Sequence, residues 1–351
     1  MTAGLSVREA ALDPPRAHAL PRIAATLRAQ PEDFVVEEDL GFAPAGHGQH
    51  LLVKVQKRNA NTQWVARELA RAAGCRPADV GYAGLKDRRA LARQWFSLPR
   101  GAAEHTVATL AGEEFAVLEA HAHTRKLPRG ALAGNRFAIR LRVPAGTAAS
   151  GAASLAPALQ LIGARGVPNY FGPQRFGRGG ANLASGPLPP PRDPARGFRL
   201  SAARSLIFNA LLAERISGGT WQELLAGDLA CLEGRGSYFA VASVDEVLAA
   251  RCARLEIHPT GPLWGAGEPE SRDAVQATEL AVAARYANER SLCESAGMRQ
   301  ERRSLRLAVQ ELRCVVASDA LVLEFRLTRG GFATAVLREL LEGESGELGE
   351  P

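Results

Sequence analysis

The sequence predicts an α/β (α+β) protein in two parts, with a second α/β domain inserted into the first. Three observations point there. Strand-like segments come first, helical ones follow, and strand-like segments return near the end. The composition shifts abruptly at PAGTAASGAAS (144–154) and again at the Pro-rich GPLPPPRDPARG (186–197), which suits neither a helix nor a central strand. With 351 residues the chain has two-domain length, and its 46% hydrophobic and 23% charged content is that of a globular protein.

Taken in order, Phe34 to Leu40 (FVVEEDL) and Leu51 to Val55 (LLVKV) read as strands joined by the Gly-rich GFAPAGHGQ. Asn61 and Thr62 offer N-caps for a helix, QWVARELARAAG, in which Trp64, Val65, Leu69 and Ala72 or Ala73 recur at helical spacing and Gly74 closes the last turn. Val80 to Leu85 and Gln94 to Leu98 read as short strands flanking the basic loop KDRRALAR. In Asn135 to Val143 (NRFAIRLRV), Phe137, Ile139, Leu141 and Val143 alternate with Arg136, Arg140 and Arg142, so one face is core and the other basic. A helix ending near Gly163 follows. Helical patterns resume at AARSLIFNALLAERI and run through much of the chain to Leu307; two strands with a turn at ASDA and the helix TAVLRELLEG complete it.

No apolar run approaches membrane-spanning length, and MTAGLSVREAALDPP lacks the apolar stretch of a signal peptide, so a cytoplasmic protein without a membrane partner is expected. Five scattered cysteines, none in a C-x-x-C pair, indicate buried thiols rather than a disulfide framework or zinc ribbon. His121 and His123 have no second pair of ligands nearby and read as surface residues of a strand. No metal site is expected.

The net charge is +6, and it is clustered by segment. Eleven basic residues face three acidic ones between Lys54 and Arg100, and six basic residues stand from His121 to Arg142 without a carboxylate. One such run is ordinarily a solvated face; several in one chain favour a phosphate backbone as partner. The chain has only four lysines, Lys54, Lys57, Lys86 and Lys126, so Lys86 beside Asp87 stands out against its preference for arginine.

The segment GYAGLKDRRALARQWFSL sets Asp87 among cations and glycines on a loop between strands. Cations around a carboxylate favour its charged form, which suits a nucleophile or proton acceptor; a surface salt bridge is the plainer local explanation.

This segment resembles the catalytic motif of the TruD family of tRNA pseudouridine synthases. PEDFVVEEDLGFAPAGHGQH, NANTQWVARELA, GALAGNRF, GVPNYFGPQRFGRGGANL, SAARSLIFNALLAERI, HPTGPLWG and GGFATAVLRELL are also similar to family segments, in the family's order, from Pro31 to Leu341. The resemblance implies a pseudouridine synthase core with a mixed, mostly antiparallel sheet (1–165 and 308–351) and an inserted α/β TRUD domain (166–307). It implies conversion of the uridine at position thirteen of tRNA to pseudouridine by a monomer that needs no metal, nucleotide or redox cofactor. Asp87 would be the catalytic carboxylate, attacking the sugar or removing a proton to give a glycal, with Arg28 as first candidate and Arg338 as second for the cation beside it. By the same resemblance Phe34, Asn135, Phe332 and Phe137, with Lys86, would bind substrate. Core packing competes for each Phe, and a turn role for Asn135. Tyr170, Phe171 and Phe176 could equally be core, while Arg175 and Arg178 suit phosphate. Gly331 stands where the family pattern has Ser, so no hydroxyl contact is implied there.

Two other classes compete. A non-catalytic RNA-binding or chaperone protein of the same fold would be favoured by a missing motif aspartate, whereas Asp87 and its flanks are intact. A metal-dependent nuclease would need clustered carboxylates or histidines that the family-like segments do not supply.

Overall fold

The computed structural model describes residues 13–101, 104–183, 186–318 and 320–342. These fall into two compact units, one drawn from Met1–Ala24, Ser154–Val309 and Gly331–Glu350, the other from Ala25–Ala153 and Gln310–Gly330. The first takes in, besides 166–307, the part of helix Ala148–Arg165 from Ser154 onward and the C-terminal helix Ala333–Leu340.

The second unit is built on one sheet. Its strands are β1 (Phe34–Asp39), β2 (His50–Arg58), β3 (Gly81–Tyr82), β4 (Leu91–Pro99), β5 (Phe115–His123), β6 (Gly134–Arg142), β7 (Gln310–Ala317) and β8 (Ala320–Thr328). They are ordered β7-β8-β6-β1-β4-β2-β5, with β3 on β4. Only β1 and β4 run parallel; the other neighbours are antiparallel, which is the mixed, mostly antiparallel sheet expected. The hydrophobic alternation read in NRFAIRLRV is realised in β6, where Phe137, Ile139 and Leu141 are buried.

Register decides which side chains share a face, because residues paired across strands point to the same side of a sheet. Lys57 pairs with Ala92, Ala92 with Val36 and Val36 with Phe137. One neighbouring row runs through Gln94, Glu38 and Asn135; on the other side of the first row Phe34 lies opposite Ile139. One face therefore carries Lys57, Gln94, Glu38, Asn135, Phe34 and Phe137, although their positions run from 34 to 137 in the sequence. Helix α1 (Thr62–Ala73) packs Val65, Ala66, Leu69 and Ala70 against Leu51, Val53, Val55, Phe96 and Leu98 of this sheet, and Gly74 ends it at φ +65°, a left-handed conformation that glycine adopts without strain.

The opposite face is charged. Its arginines are neutralised by neighbours: Arg136 pairs with Glu311, Arg142 grips Asp33 through two bonds of 2.8 and 2.9 Å, and Arg93 lies 3.3 Å from Glu37. The basic stripe legible in β6 is in the structure largely a set of ion pairs.

In the first unit, helix Pro194–Ser217 buries Leu206, Phe208, Leu211 and Leu212 together with Tyr170, Phe171, Phe176 and Trp264. Tyr170, Phe171 and Phe176 are thus core, and buried Asn209 bonds both backbone groups of Phe171 at 2.9 Å. The helical pattern expected through to Leu307 is interrupted by a four-stranded sheet of Glu301–Ser304, Ile257–Leu263, Leu229–Leu232 and Tyr238–Ala240. Ile257–Leu263 reads IHPTGPL and is buried on both sides, so it shows no alternation, and its two prolines argue against a strand by propensity. Gly261 is required there, since a Cβ would meet Leu305 at 2.9 Å and Leu211 at 3.0 Å. Among the described residues no helix is long and apolar enough to cross a membrane.

Leu69→Ala, which removes a fully buried side chain between α1 and the sheet, should destabilise the protein by about 2–5 kcal/mol in urea melts. The Asp33 carboxyl is pushed up by burial, but its bonds to Arg142 and to the Gln30 amide outweigh this and set it below its ordinary value. A folded pKa below the unfolded one gives stability that is present near neutrality and lost as pH falls through the acid range. Urea melts between about pH 5 and 2.5 should therefore show a shallower acid loss for Arg142→Gln than for wild type.

Candidate active site

The loop between β3 and β4 that carries Asp87 is held from beneath by side chains of β2, α1 and β4. Gln94 Nε2 donates to the Gly84 carbonyl at 2.6 Å, and Thr62 Oγ1 accepts the Lys86 amide at 3.0 Å while donating to Gln94 Oε1 at 3.0 Å. Lys57 Nζ donates to the Asp87 carbonyl at 2.7 Å, to the Ala60 carbonyl at 2.7 Å and, more weakly, to the Lys86 carbonyl at 3.4 Å. Lys57, Thr62 and Gln94 are all buried. An unpaired polar group in such a place costs about 1–3 kcal/mol, so the network favours one loop conformation strongly.

Thr62 was expected as a cap for α1. It begins the helix, but its hydroxyl serves the loop, and Asn61 at the cap position makes no side-chain capping bond.

Above this base, the Asp87 carboxylate is 20% exposed. Its Oδ2 lies 2.7 Å from Arg28 Nη1, and its Oδ1 accepts the Arg89 amide at 3.0 Å. Arg28 is held in turn: its guanidinium sits 4.1 Å from the centroid of the Phe34 ring, and its backbone has φ +53°, in the left-handed region that costs a non-glycine residue about 1–2 kcal/mol. Burial lowers the Arg28 pKa and the Asp87 carboxylate pulls it back up; Nε is buried with no hydrogen-bond partner. Phe34 is 4% exposed and meets Phe137 edge to face at 6.1 Å, and Phe137 stacks on Phe325 at 5.2 Å. The two phenylalanines thus form an aromatic base for Arg28.

Lys86 and Asn135 lie on the same side. Lys86 Nζ is 2.7 Å from Glu38 Oε1, and Glu38 Oε2 accepts the Trp95 amide at 2.9 Å, so the ammonium of Lys86 is paired with a buried carboxylate. Asn135 stands opposite Glu38 in the sheet, and its Oδ1 is buried with no hydrogen-bond partner. A buried acceptor without a donor is uncommon in folded proteins and marks a place where a ligand donor would be welcome.

Six of the residues expected at the site, Arg28, Phe34, Lys86, Asp87, Asn135 and Phe137, therefore belong to the sheet unit. Phe332 and Arg338 belong to the other. There Phe332 approaches Phe171, with ring centroids 6.5 Å apart, and Arg303, at 5.7 Å, while Arg338 is bonded to Asp13 at 2.8 Å and to the Pro14 carbonyl. Arg175 lies over Phe171 and bonds Ser201. Sequence reasoning missed Lys57, Thr62, Gln94 and Glu38. Lys57 had one usable signal, being a rare lysine at an inward position of an apolar strand.

A carboxylate bridged to one arginine and presented by a pinned loop on a mixed sheet can act as a nucleophile or proton acceptor, and comparison with known proteins gives it a class. A crystal structure from Methanosarcina mazei described as a TruD protein superposes with a TM-score of 0.74 over 97% of this chain and 98% of that one at 20% identity, so the two share a fold. The family model for tRNA pseudouridine synthase D (TruD) matches residues 16–182 and 194–340. Proteins called tRNA pseudouridine synthase D from Nitrosococcus oceani and from Pseudomonas aeruginosa PAO1 are each 46% identical, the first over 97% of this chain and 94% of its own, the second over 93% of both. The chain belongs to the TruD family of enzymes.

Thr62→Val keeps the shape of the side chain and leaves the Lys86 amide without its acceptor. It should lower stability by about 1–3 kcal/mol in urea melts and raise hydrogen exchange in the 84–89 loop above that of the strands.

Proposed function

We propose that the enzyme converts uridine to pseudouridine at position thirteen of tRNA, with Asp87 as the catalytic carboxylate and without a cofactor. The observation that carries this is the pairing of Asp87 with Arg28 at 2.7 Å on the immobilised loop, within a family-matched chain. The reaction breaks the bond from uracil N1 to ribose C1′, turns the base and joins C5 to C1′, releasing the C5 proton. An ionised carboxylate next to the sugar serves either route, attack at C1′ or removal of the C2′ proton to give a glycal. Arg28 fixes the carboxylate's orientation, and it is itself oriented by Phe34 and Phe137.

The target base must leave the RNA stack to reach such a carboxylate. The Asn135 Oδ1, buried with no hydrogen-bond partner among the described residues, supplies an acceptor for the uracil N3–H. Exposed Arg88 and Arg89, which follow Asp87 on the loop, suit the phosphates beside the target nucleotide. In this reading 1–165 and 308–351 serve as the synthase core and 166–307 as the inserted domain, and a single chain works on tRNA in the cytoplasm.

Release of tritium from C5 of uridine in tRNA tests the proposal. Wild type should release it, Asp87→Asn should not, and both should bind tRNA in a filter assay. A tRNA with cytidine at position thirteen should give no release; undiminished release from it would move the target site. Arg28→Ala should lose about 10²–10³-fold in kcat, equivalent to roughly 3–4 kcal/mol of barrier. Full turnover by Asp87→Asn would sink the assignment of the carboxylate.

A further inference from the structure

The reaction assigns work to Asp87 and Arg28 and leaves unused the buried ammonium below them. We propose that Lys57 is a positioning residue for catalysis: its protonated amine holds the carbonyls of Asp87, Lys86 and Ala60 together and thereby sets the direction in which the Asp87 carboxylate points. This deepens the synthase reading and rests on it.

An ammonium has three N–H donors, and Lys57 Nζ has three carbonyl acceptors, two at 2.7 Å and one at 3.4 Å. A neutral amine has two N–H donors. On losing its proton Lys57 must release one carbonyl, and the longest bond, to Lys86, is the first to go. Two of the three acceptors lie in the residue bearing the carboxylate and its immediate neighbour, so the release loosens the backbone from which Asp87 projects. Misplacement of a reacting group by a fraction of an ångström is enough to slow a reaction without changing substrate affinity.

The surroundings make the proton easy to lose. Lys57 is 0% exposed, and among the described residues its ammonium bonds only carbonyls. Burial pushes it down to about 8 from an ordinary value of 10.5; of the charged groups facing it, Asp87 favours the ammonium and Lys86 opposes it. The network side chains contributed by α1 and β4 are Thr62 and Gln94, neither of which titrates. Activity should therefore fall on the alkaline side as Lys57 deprotonates. Stability should behave in the opposite way. Because the folded pKa lies below the unfolded one, the unfolded chain holds the extra proton between about 8 and 10.5, and this group's contribution to folding becomes more favourable as pH rises through that window. A lysine that merely supported the fold would not slow the chemistry while ceasing to burden stability.

The test is the single-turnover rate of tritium release between about pH 6.5 and 9, with saturating tRNA and a thermal melt at each pH. The expected result is an alkaline limb with a midpoint near 8, an unchanged KM and no matching fall in melting temperature. Lys57→Met, which keeps the length and removes every donor, should lose at least about tenfold in kcat with KM within about twofold, and its residual activity should show no limb. A rate that stays flat to pH 9 in wild type overturns the proposal whether or not the variant folds. So does a folded Lys57→Met enzyme with wild-type kcat or a retained limb. Absence of release by wild type at every pH is a different result: it removes the synthase reading and this inference with it, whereas release with a flat profile removes only the inference.

Discussion

The ammonium of Lys57 and the hydroxyl of Thr62, with the amide of Gln94, are buried beneath a surface loop, and the loop's conformation depends on them. Between them they satisfy four backbone groups from Gly84 to Asp87. The three side chains come from a strand, a helix and another strand, so the loop is built against the sheet rather than by its own local preferences. Burying an ammonium is expensive in the absence of compensation, and here the compensation is the peptide groups of the loop itself. The apolar packing of α1 on the sheet matters to the site for this reason, since it holds Thr62 at the right depth.

The consequences pass upward in a definite order. With the backbone held, Asp87 presents one oxygen to Arg28 and the other to the Arg89 amide. Arg28 lies over Phe34, and Phe34 leans on Phe137, so an aromatic cluster that would be ordinary core elsewhere acts here as the floor of an ion pair. The left-handed backbone of Arg28 and its unbonded Nε show local preference yielding to this arrangement. Such strain tends to gather where geometry serves a reaction.

Charge is arranged differently on the two faces of the sheet. Away from the site, the arginines of β4 and β6 are met by Glu37, Asp33 and Glu311. Beside the site, Arg88 and Arg89 project from the loop into solvent. A basic segment is therefore not in itself an RNA-binding surface; what distinguishes the loop is cations next to a carboxylate that already has its own arginine.

The sequence by itself determined the family, the positions along the chain of the main strands of the sheet unit, helix α1 and its glycine stop, and the loop with Asp87. These are carried by periodicity, by turn chemistry and by motifs in a fixed order, all of which are local in the chain. It left the second sheet unread, because the prolines and uniform burial of Ile257–Leu263 erase the alternation that identifies a strand. It also suggested Lys86 as the notable lysine at the loop, while the tertiary structure pairs Lys86 with Glu38 and sets Lys57 under Asp87. The pairing of Arg28 with Asp87 could be nominated from sequence, but its geometry could not. Sheet register sets residues 57 and 94, the packing of α1 sets 62, and side-chain bonds bring 28 and 87 to them; these are long-range contacts that no local pattern records.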